Sequence, residues 1–347
     1  MDIEVKSINE SWKVIKLKND NNVSAEILNY GGIITNLTVP DKNGNLENVV
    51  LSYADYDSYK NDPNYFGAAI GRVAGRIANS KFELEGNTYE LESNESTHHL
   101  HGGKNGFHQM VWDVKTFKKD AEVGVELQND IPEENDGYPG NLKVSMTYTL
   151  NNNDELIIDY HAISDKNTVL TLTNHSYFNL NGNLKHPINN HIVTLDSSEF
   201  VELDKELIPT GNKINVSGTP FDFRKGKTLG EGIESPITQN EYAENGFDHY
   251  FIFDNQVEDS VILKEPNSGR VMKIRTDQPG VVVYTANNLD DTLELTEKKS
   301  EKYLGVTLET QSSPASLEFE DFPGIVLKAN EPYQKQTSYK FSVSDNE

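Results

Sequence analysis

The sequence predicts an all-β protein, a large sandwich of packed antiparallel sheets, on three observations. Apolar residues recur with a period of two, as side chains alternate across a strand, rather than with the 3.6 of a helix. Turn residues interrupt those runs at short intervals, and few stretches have a helical pattern. No Gly/Ser-rich or Pro-rich linker and no fixed-period repeat divides the 347 residues, which predicts one continuous domain over 1–347. Many short strands joined by turns pack as face-to-face sheets, whose concave face or end loops form a groove.

In chain order, the first turn signal is Asp41-Lys-Asn-Gly44. FGAAIGRVAGRIANSKF, Phe66 to Phe82, then sets Arg72 and Arg76 among small residues. Gly71-Arg-Val-Ala-Gly75 has the look of a phosphate loop, but the Lys-Ser/Thr ending and the strand–loop–helix setting are missing. A guanidinium forking onto neighbouring sugar hydroxyls suits these residues as well. THHLHGG, Thr97 to Gly103, carries three histidines within four positions, and on a strand His99 and His101 point the same way, as zinc ligands would. No matching carboxylate–histidine spacing appears elsewhere, so surface and loop histidines are expected, and no metal.

Asp136-Gly-Tyr-Pro-Gly140 is the next turn, leading into LKVSMTYTL. There Leu142, Val144, Met146, Tyr148 and Leu150 share one face of a half-buried strand, and Glu155 to Ser164 repeats the alternation. LTNHSYFNL, Leu172 to Leu180, places a single histidine, His175, where a strand leaves the core. Taken alone it reads as a structural histidine hydrogen-bonded to a neighbour. Asp248 follows in GFDHYFIF, and VILKEPNSGRVMKI reads as a hairpin turning at Asn267-Ser-Gly269. Glu309, in GVTLETQSSPAS, faces away from the apolar side made by Val306 and Leu308; a solvated strand-face glutamate is the plain reading. Tyr339, Phe341 and Val343 close the pattern.

Composition excludes several classes. The 55 acidic against 31 basic residues leave a net charge of −24, a field that repels phosphate backbones and anionic lipid, so neither nucleic acid nor a membrane is an expected partner. Cysteine is absent, which removes disulfides, thiolate metal sites and a cysteine nucleophile together. The charged start MDIEVKSINESWKVIKLKND lacks a secretory h-region, and no later stretch is long and apolar enough to span a bilayer, so a soluble cytoplasmic protein is expected.

Taken together these stretches resemble the aldose 1-epimerase family, the galactose mutarotases. NYGGIITNLTVPDKNG, YFGAAIGRVAGRIANSKF, HHLHGG, DGYPGNL, LTNHSYFNL, GFDHYFIF, PGVVVYTANNL and LETQSSPAS come in the family's order and cover nearly the whole chain. The resemblance implies an antiparallel β-sandwich of the galactose-mutarotase type with a sugar-binding cleft. It implies a cofactor-independent isomerase that interconverts the α and β anomers of D-galactose, D-glucose or related aldoses. A small monosaccharide is the implied partner, and the chain a monomer or homodimer.

Carried over residue by residue, the resemblance makes Glu309 the general base and His175 the general acid. His101 would hydrogen-bond near the ring oxygen, and Arg76, Asp248, Asn79 and Tyr284 would bind hydroxyls. Reference values of about 4.3 for glutamate and about 6.5 for histidine have the base ionised and the acid protonated near neutral pH. Two positions depart from the pattern: Gly75 stands where several members carry asparagine, and Val282 where some carry a polar side chain, so the preferred sugar stays open. A hexose-6-phosphate epimerase on the same fold, a glycosidase using Asp248 and Glu309 as its carboxylate pair, and a non-catalytic carbohydrate-binding protein are the competing readings.

Overall fold

A computed structural model describes residues 1–255 and 258–344. Three sheets dominate. Five N-terminal strands pair in chain order from Asp2–Ser7 to Leu46–Asn48. A nine-stranded sheet is built around Leu142–Asn151, Glu155–Ser164 and Pro332–Val343, which lie side by side. A six-stranded sheet runs Tyr177–Phe178, Val306–Gln311, Gly280–Tyr284, Asp248–Ile252, Glu199–Leu203 and Pro209–Asn215. All pairings between these strands are antiparallel. The α-helices among the described residues are two five-residue turns, Leu229–Ile233 and Thr238–Tyr242. Among those residues no helix is long and apolar enough to cross a membrane.

The alternation in Leu142–Asn151 is borne out: Leu142, Val144, Met146, Tyr148 and Leu150 are all buried in the main core. Val281, Val283, Val306, Leu308 and Phe251 from the six-stranded sheet belong to the same cluster. Burying one such side chain contributes about 1.5–3 kcal/mol. The apolar underside of the six-stranded sheet therefore anchors it, and its other face is free to be polar.

The expected turns form as well. At Asp41 the side-chain Oδ1 accepts from the N–H groups of Asn43 and Asn45, and Gly44 takes the positive φ of 82° that closes the turn. The hairpin at Asn267-Ser-Gly269 joins Val261–Lys264 to Arg270–Thr276, with Val261 opposite Ile274.

The arginine of the Gly71 to Gly75 loop is spent on the protein's own groups. The Arg72 guanidinium is buried, pairs with Asp136 at 2.8 Å and donates to the carbonyls of Pro139 and Gly140, so it clamps the DGYPG turn to the sheet.

Candidate active site

Strand register builds the site. Because side chains two apart share a face, Thr307, Glu309 and Gln311 all point away from the core that takes Val306 and Leu308. Pairing extends this face sideways: Tyr177 lies opposite Thr307, Thr307 opposite Tyr284, and Tyr284 opposite Asp248. The next row sets Glu309 beside Val282 and Val282 beside Tyr250. These rows form one wall of an open-mouthed cleft of about 980 Å³. Glu309 is thus 3 % exposed, not the solvated strand-face glutamate of the plain sequence reading, because its polar face is covered by the opposite wall.

A two-stranded ribbon and a turn bring in the other groups. Arg76–Ile77 pairs with His99–Leu100, so Arg76 faces Leu100 and His101 follows at once. His101, at a φ of 52°, is held twice by Gly75: its N–H donates to the Gly75 carbonyl at 3.2 Å, and its Nδ1 accepts the Gly75 N–H at 3.1 Å. Nδ1 being an acceptor, the neutral ring carries its proton on Nε2 and is a donor into the cleft. His175 is fixed through its backbone, with N–H to the Ala68 carbonyl at 2.8 Å and carbonyl to the Gly67 N–H at 3.1 Å. The Tyr65 ring stands edge-on to His101 at 4.8 Å and tilted against His175 at 5.7 Å.

The groups converge on two centres. At one, His175 Nε2 lies 3.4 Å from Glu309 Oε1, and Thr307 Oγ1 donates to the same oxygen at 2.9 Å. At the other, Arg76 forks onto Glu95 at 2.6 and 2.9 Å and reaches Asp248 at 3.3 Å. Burial pushes Glu309 up to about 8, opposed by the Thr307 hydrogen bond. Burial pushes His175 down to about 4, opposed by the carboxylates of Asp62 and Asp248. The 3.4 Å separation agrees with those directions: a fully charged pair would close to about 2.7–2.9 Å. Both directions favour the neutral forms, with a proton on Glu309 and none gained by His175, which is the reverse of the order given by the reference values. Burial also holds His101 well below its usual value, helped by His175 and Arg76. Arg76 goes the other way: burial would lower it, but Asp248 and Glu95 outweigh that and keep it charged.

A sequence profile described as aldose 1-epimerase matches residues 13–340. The chain belongs to the aldose 1-epimerase family. It is 39 % identical to the galactose mutarotase of Homo sapiens over 322 residues, 92 % of this chain and 91 % of that protein. It is 33 % identical to the aldose 1-epimerase of Haemophilus influenzae over 335 residues, 95 % of this chain and 96 % of that one. Among solved structures, a galactose 1-epimerase from Lactobacillus acidophilus superposes with a TM-score of 0.87 at 28 % identity, covering 99 % of each chain. The sandwich expected from the strand pattern is the fold of this epimerase family.

Of the residues expected at the epimerase site, Glu309, His175, His101, Arg76, Asp248 and Tyr284 all line the cleft. Asn79 does not. It lies exposed in a short turn at a φ of 52°, with its backbone N–H on His98 Nδ1, outside the residues that line the cleft. The histidine run does not converge either: His98 Nε2 meets Glu206 at 3.0 Å, His99 Nδ1 meets the Glu92 carbonyl at 2.7 Å, and only His101 enters the cleft. There the ligand atoms of His101, His175 and Glu309 fall within 4.8 Å of one another, a grouping that spacing along the chain could not reveal.

Several lining residues went unnoticed in the sequence. Gln311 stands two positions beyond Glu309 on the same strand face, and that period was the available signal; Tyr177 opens a new strand two positions after His175, with no such period between them. Glu95 and Tyr65 come from loops, where no period operates.

Proposed function

We propose that the cleft opens and recloses the hemiacetal ring of a free aldose, with Glu309 and His175 exchanging protons with the C1 hydroxyl and the ring oxygen. The observation that carries this reading is the buried His175–Glu309 contact of 3.4 Å, which sets a ring nitrogen and a carboxyl oxygen within reach of one bound hemiacetal. Opening starts from the ionised form of the pair. Glu309 takes the proton of the C1 hydroxyl, His175 gives its proton to the ring oxygen, and the C1–O5 bond breaks to leave an aldehyde. The pair is then neutral, with the proton on Glu309, which is the protonation state burial favours in the free cleft. After rotation about C1–C2, Glu309 returns its proton to the carbonyl oxygen and His175 takes one from the C5 hydroxyl as the ring closes on the other face. No atom is gained or lost.

His101 donates from Nε2 near the ring oxygen, while Arg76, Asp248 and Tyr284 hold hydroxyls on the far side of the sugar. A sugar phosphate fits less well. Arg76 is the only lysine or arginine among the described residues that line the cleft, and two carboxylates already hold it. Polarimetry on freshly dissolved α-D-galactose and α-D-glucose tests the reading: optical rotation relaxes at a rate proportional to added protein. A rate equal to buffer for every aldose overturns it, and release of reducing sugar from a glycoside would point to the glycosidase instead.

Arg76→Lys keeps the charge and loses the fork onto Glu95, so KM rises at least as much as kcat falls. Steady-state kinetics with KM unchanged for every aldose would remove Arg76 from sugar binding.

The chemistry needs only one base and one acid, and catalysis is accordingly metal-free in this reading. Dialysis against a strong chelator leaves the mutarotation rate intact. Activity lost and restored only by added divalent metal would instead make His101, His175 and Glu309 a metal centre.

A further inference from the structure

The guanidinium of Arg76 is already engaged by the protein's own carboxyl groups before any sugar enters. Its Nε and Nη2 fork onto the two oxygens of Glu95 at 2.6 and 2.9 Å, and its Nη1 reaches Asp248 at 3.3 Å. A planar guanidinium meeting both oxygens of one carboxylate is the geometry by which arginine recognises acidic ligands. Glu95 therefore occupies the edge of Arg76 that an anionic substrate would need. The proton exchange at Glu309 and His175 makes no use of this residue.

Backbone bonds hold Glu95 there. Its N–H donates to the His98 carbonyl at 3.2 Å, and the His98 N–H donates back to the Glu95 carbonyl at 2.8 Å. The neighbouring Asn94 side chain accepts from the Leu100 N–H at 2.8 Å and donates to the Leu100 carbonyl at 3.0 Å. This short turn, with Ser96 at a φ of 52°, ties Glu95 to the ribbon of Arg76–Ile77 and His99–Leu100 that carries its partner. The Glu95 side chain is 35 % exposed, against 17 % for Arg76 and 15 % for Asp248, so it is the most open of the three. Two carboxyl groups around one guanidinium leave no surplus positive charge at this end of the cleft.

We propose that Glu95 is a specificity-determining residue: it stands on Arg76 in the place of a substrate's acidic group, and so restricts the cleft to aldoses uncharged along the edge that Arg76 meets and excludes sugar acids. The proposal rests on the reading that C1 and the ring oxygen sit at Glu309 and His175. That placement turns the far edge of a hexose, with its C4 and C6 groups, toward Arg76. A hydroxyl there can share Arg76 with Glu95, because it accepts from the guanidinium and donates to the carboxylate. A carboxylate can only accept, so it finds the fork filled and meets Glu95 with like charge.

The test is polarimetry on three freshly dissolved sugars: α-D-galactose, D-galacturonate, in which a carboxylate replaces the C6 hydroxymethyl group, and the methyl ester of D-galacturonate, which keeps that skeleton uncharged. Wild type is expected to act on the ester with kcat/KM within about tenfold of galactose, and on galacturonate at least about a hundredfold less well than on galactose. Glu95→Gln, which keeps the shape and removes the charge, and Glu95→Ala, which empties the fork, each raise the galacturonate-to-galactose ratio of kcat/KM at least about tenfold. The net charge of −24 repels any anion, so the control is Asp120→Asn, a neutralisation in the exposed turn between Asp113–Lys119 and Glu122–Ile131. It leaves the ratio within about twofold. The galactose rate of each variant reports its folding. Four results would each overturn the role of Glu95 while leaving the acid–base pair standing: wild type taking galacturonate as readily as galactose, wild type rejecting the ester as strongly as the acid, Glu95 variants whose ratio does not rise, or Asp120→Asn raising the ratio as much as they do. Wild type inactive on every sugar would overturn the acid–base reading, and this role with it.

Discussion

Glu309→Gln lowers kcat by roughly 10²–10⁴, the usual contribution of a positioned acid–base group, and at pH 8 it also makes the protein harder to unfold than wild type. The first effect follows from losing a group that can accept a proton. The second follows from linkage. The Glu309 carboxyl sits at about 8 in the folded protein against an ordinary 4.5, because burial opposes its charge. A raised value means that the folded state holds the proton more tightly. The associated stability is fully present below pH 4.5 and is lost as pH rises to about 8. At about 1.4 kcal/mol per pH unit, the loss reaches a few kcal/mol. Glutamine keeps the shape, still accepts from Thr307 and has no charge to desolvate, so it escapes the loss. Thermal melts of both proteins from pH 4 to 9 should diverge as pH rises and converge near pH 4. Wild type and Glu309→Gln separated by no more at pH 8 than at pH 5 would show that Glu309 is not buried as a neutral acid. Near-normal kcat in Glu309→Gln, with activity lost in Asp248→Asn, would move the base to Asp248.

His175→Asn gives a comparable fall in kcat, and the double variant with Glu309→Gln is little worse than the poorer single one, since both groups serve one proton exchange. The pH profile separates them. With the pair holding one proton, kcat/KM falls on the acid side as a second proton binds, near the value of about 4 to which burial drives His175. It falls on the alkaline side as the last proton leaves, near the value of about 8 for Glu309. Both limbs belong to the coupled pair. Residual activity of His175→Asn should lack the acid limb, and that of Glu309→Gln the alkaline one. Additive losses in the double variant would mean that the two groups act in separate steps.

The assignment of limbs shows where sequence reasoning stopped. Leu142 to Leu150 could be read directly because one face of that strand meets the core and the other does not. Val306 to Gln311 carries the same period, but both of its faces are covered, and nothing local distinguishes a polar face open to water from one enclosed in a cleft. That Glu309 and His175 would line one cleft was therefore legible through the family motifs, whereas the opposite directions in which burial pushes them depended on enclosure by distant segments. The histidines at 98, 99 and 101 show the reverse failure. Their closeness in sequence suggested a common target, yet strand alternation and the positive φ at His101 send them to three places. Asn79, two residues past the ribbon that carries Arg76, was lost at a similar left-handed step.

The acid–base contact joins residues 134 positions apart (309 − 175), through the two-residue pairing of Tyr177–Phe178 with the edge of Val306–Gln311. Pairings this remote close slowly during folding, because most of the chain's loop entropy must be lost before they form. Arg76 and His101 come together early along the chain, but no stretch that ends before residue 306 contains both members of the proposed proton-exchanging pair. A nascent or truncated chain can carry sheets, turns and much of the cleft wall and still turn over nothing. Recovered activity during refolding thus marks the seating of the Val306–Gln311 strand, and is a more stringent gauge of the native state than the β-sheet signal that precedes it.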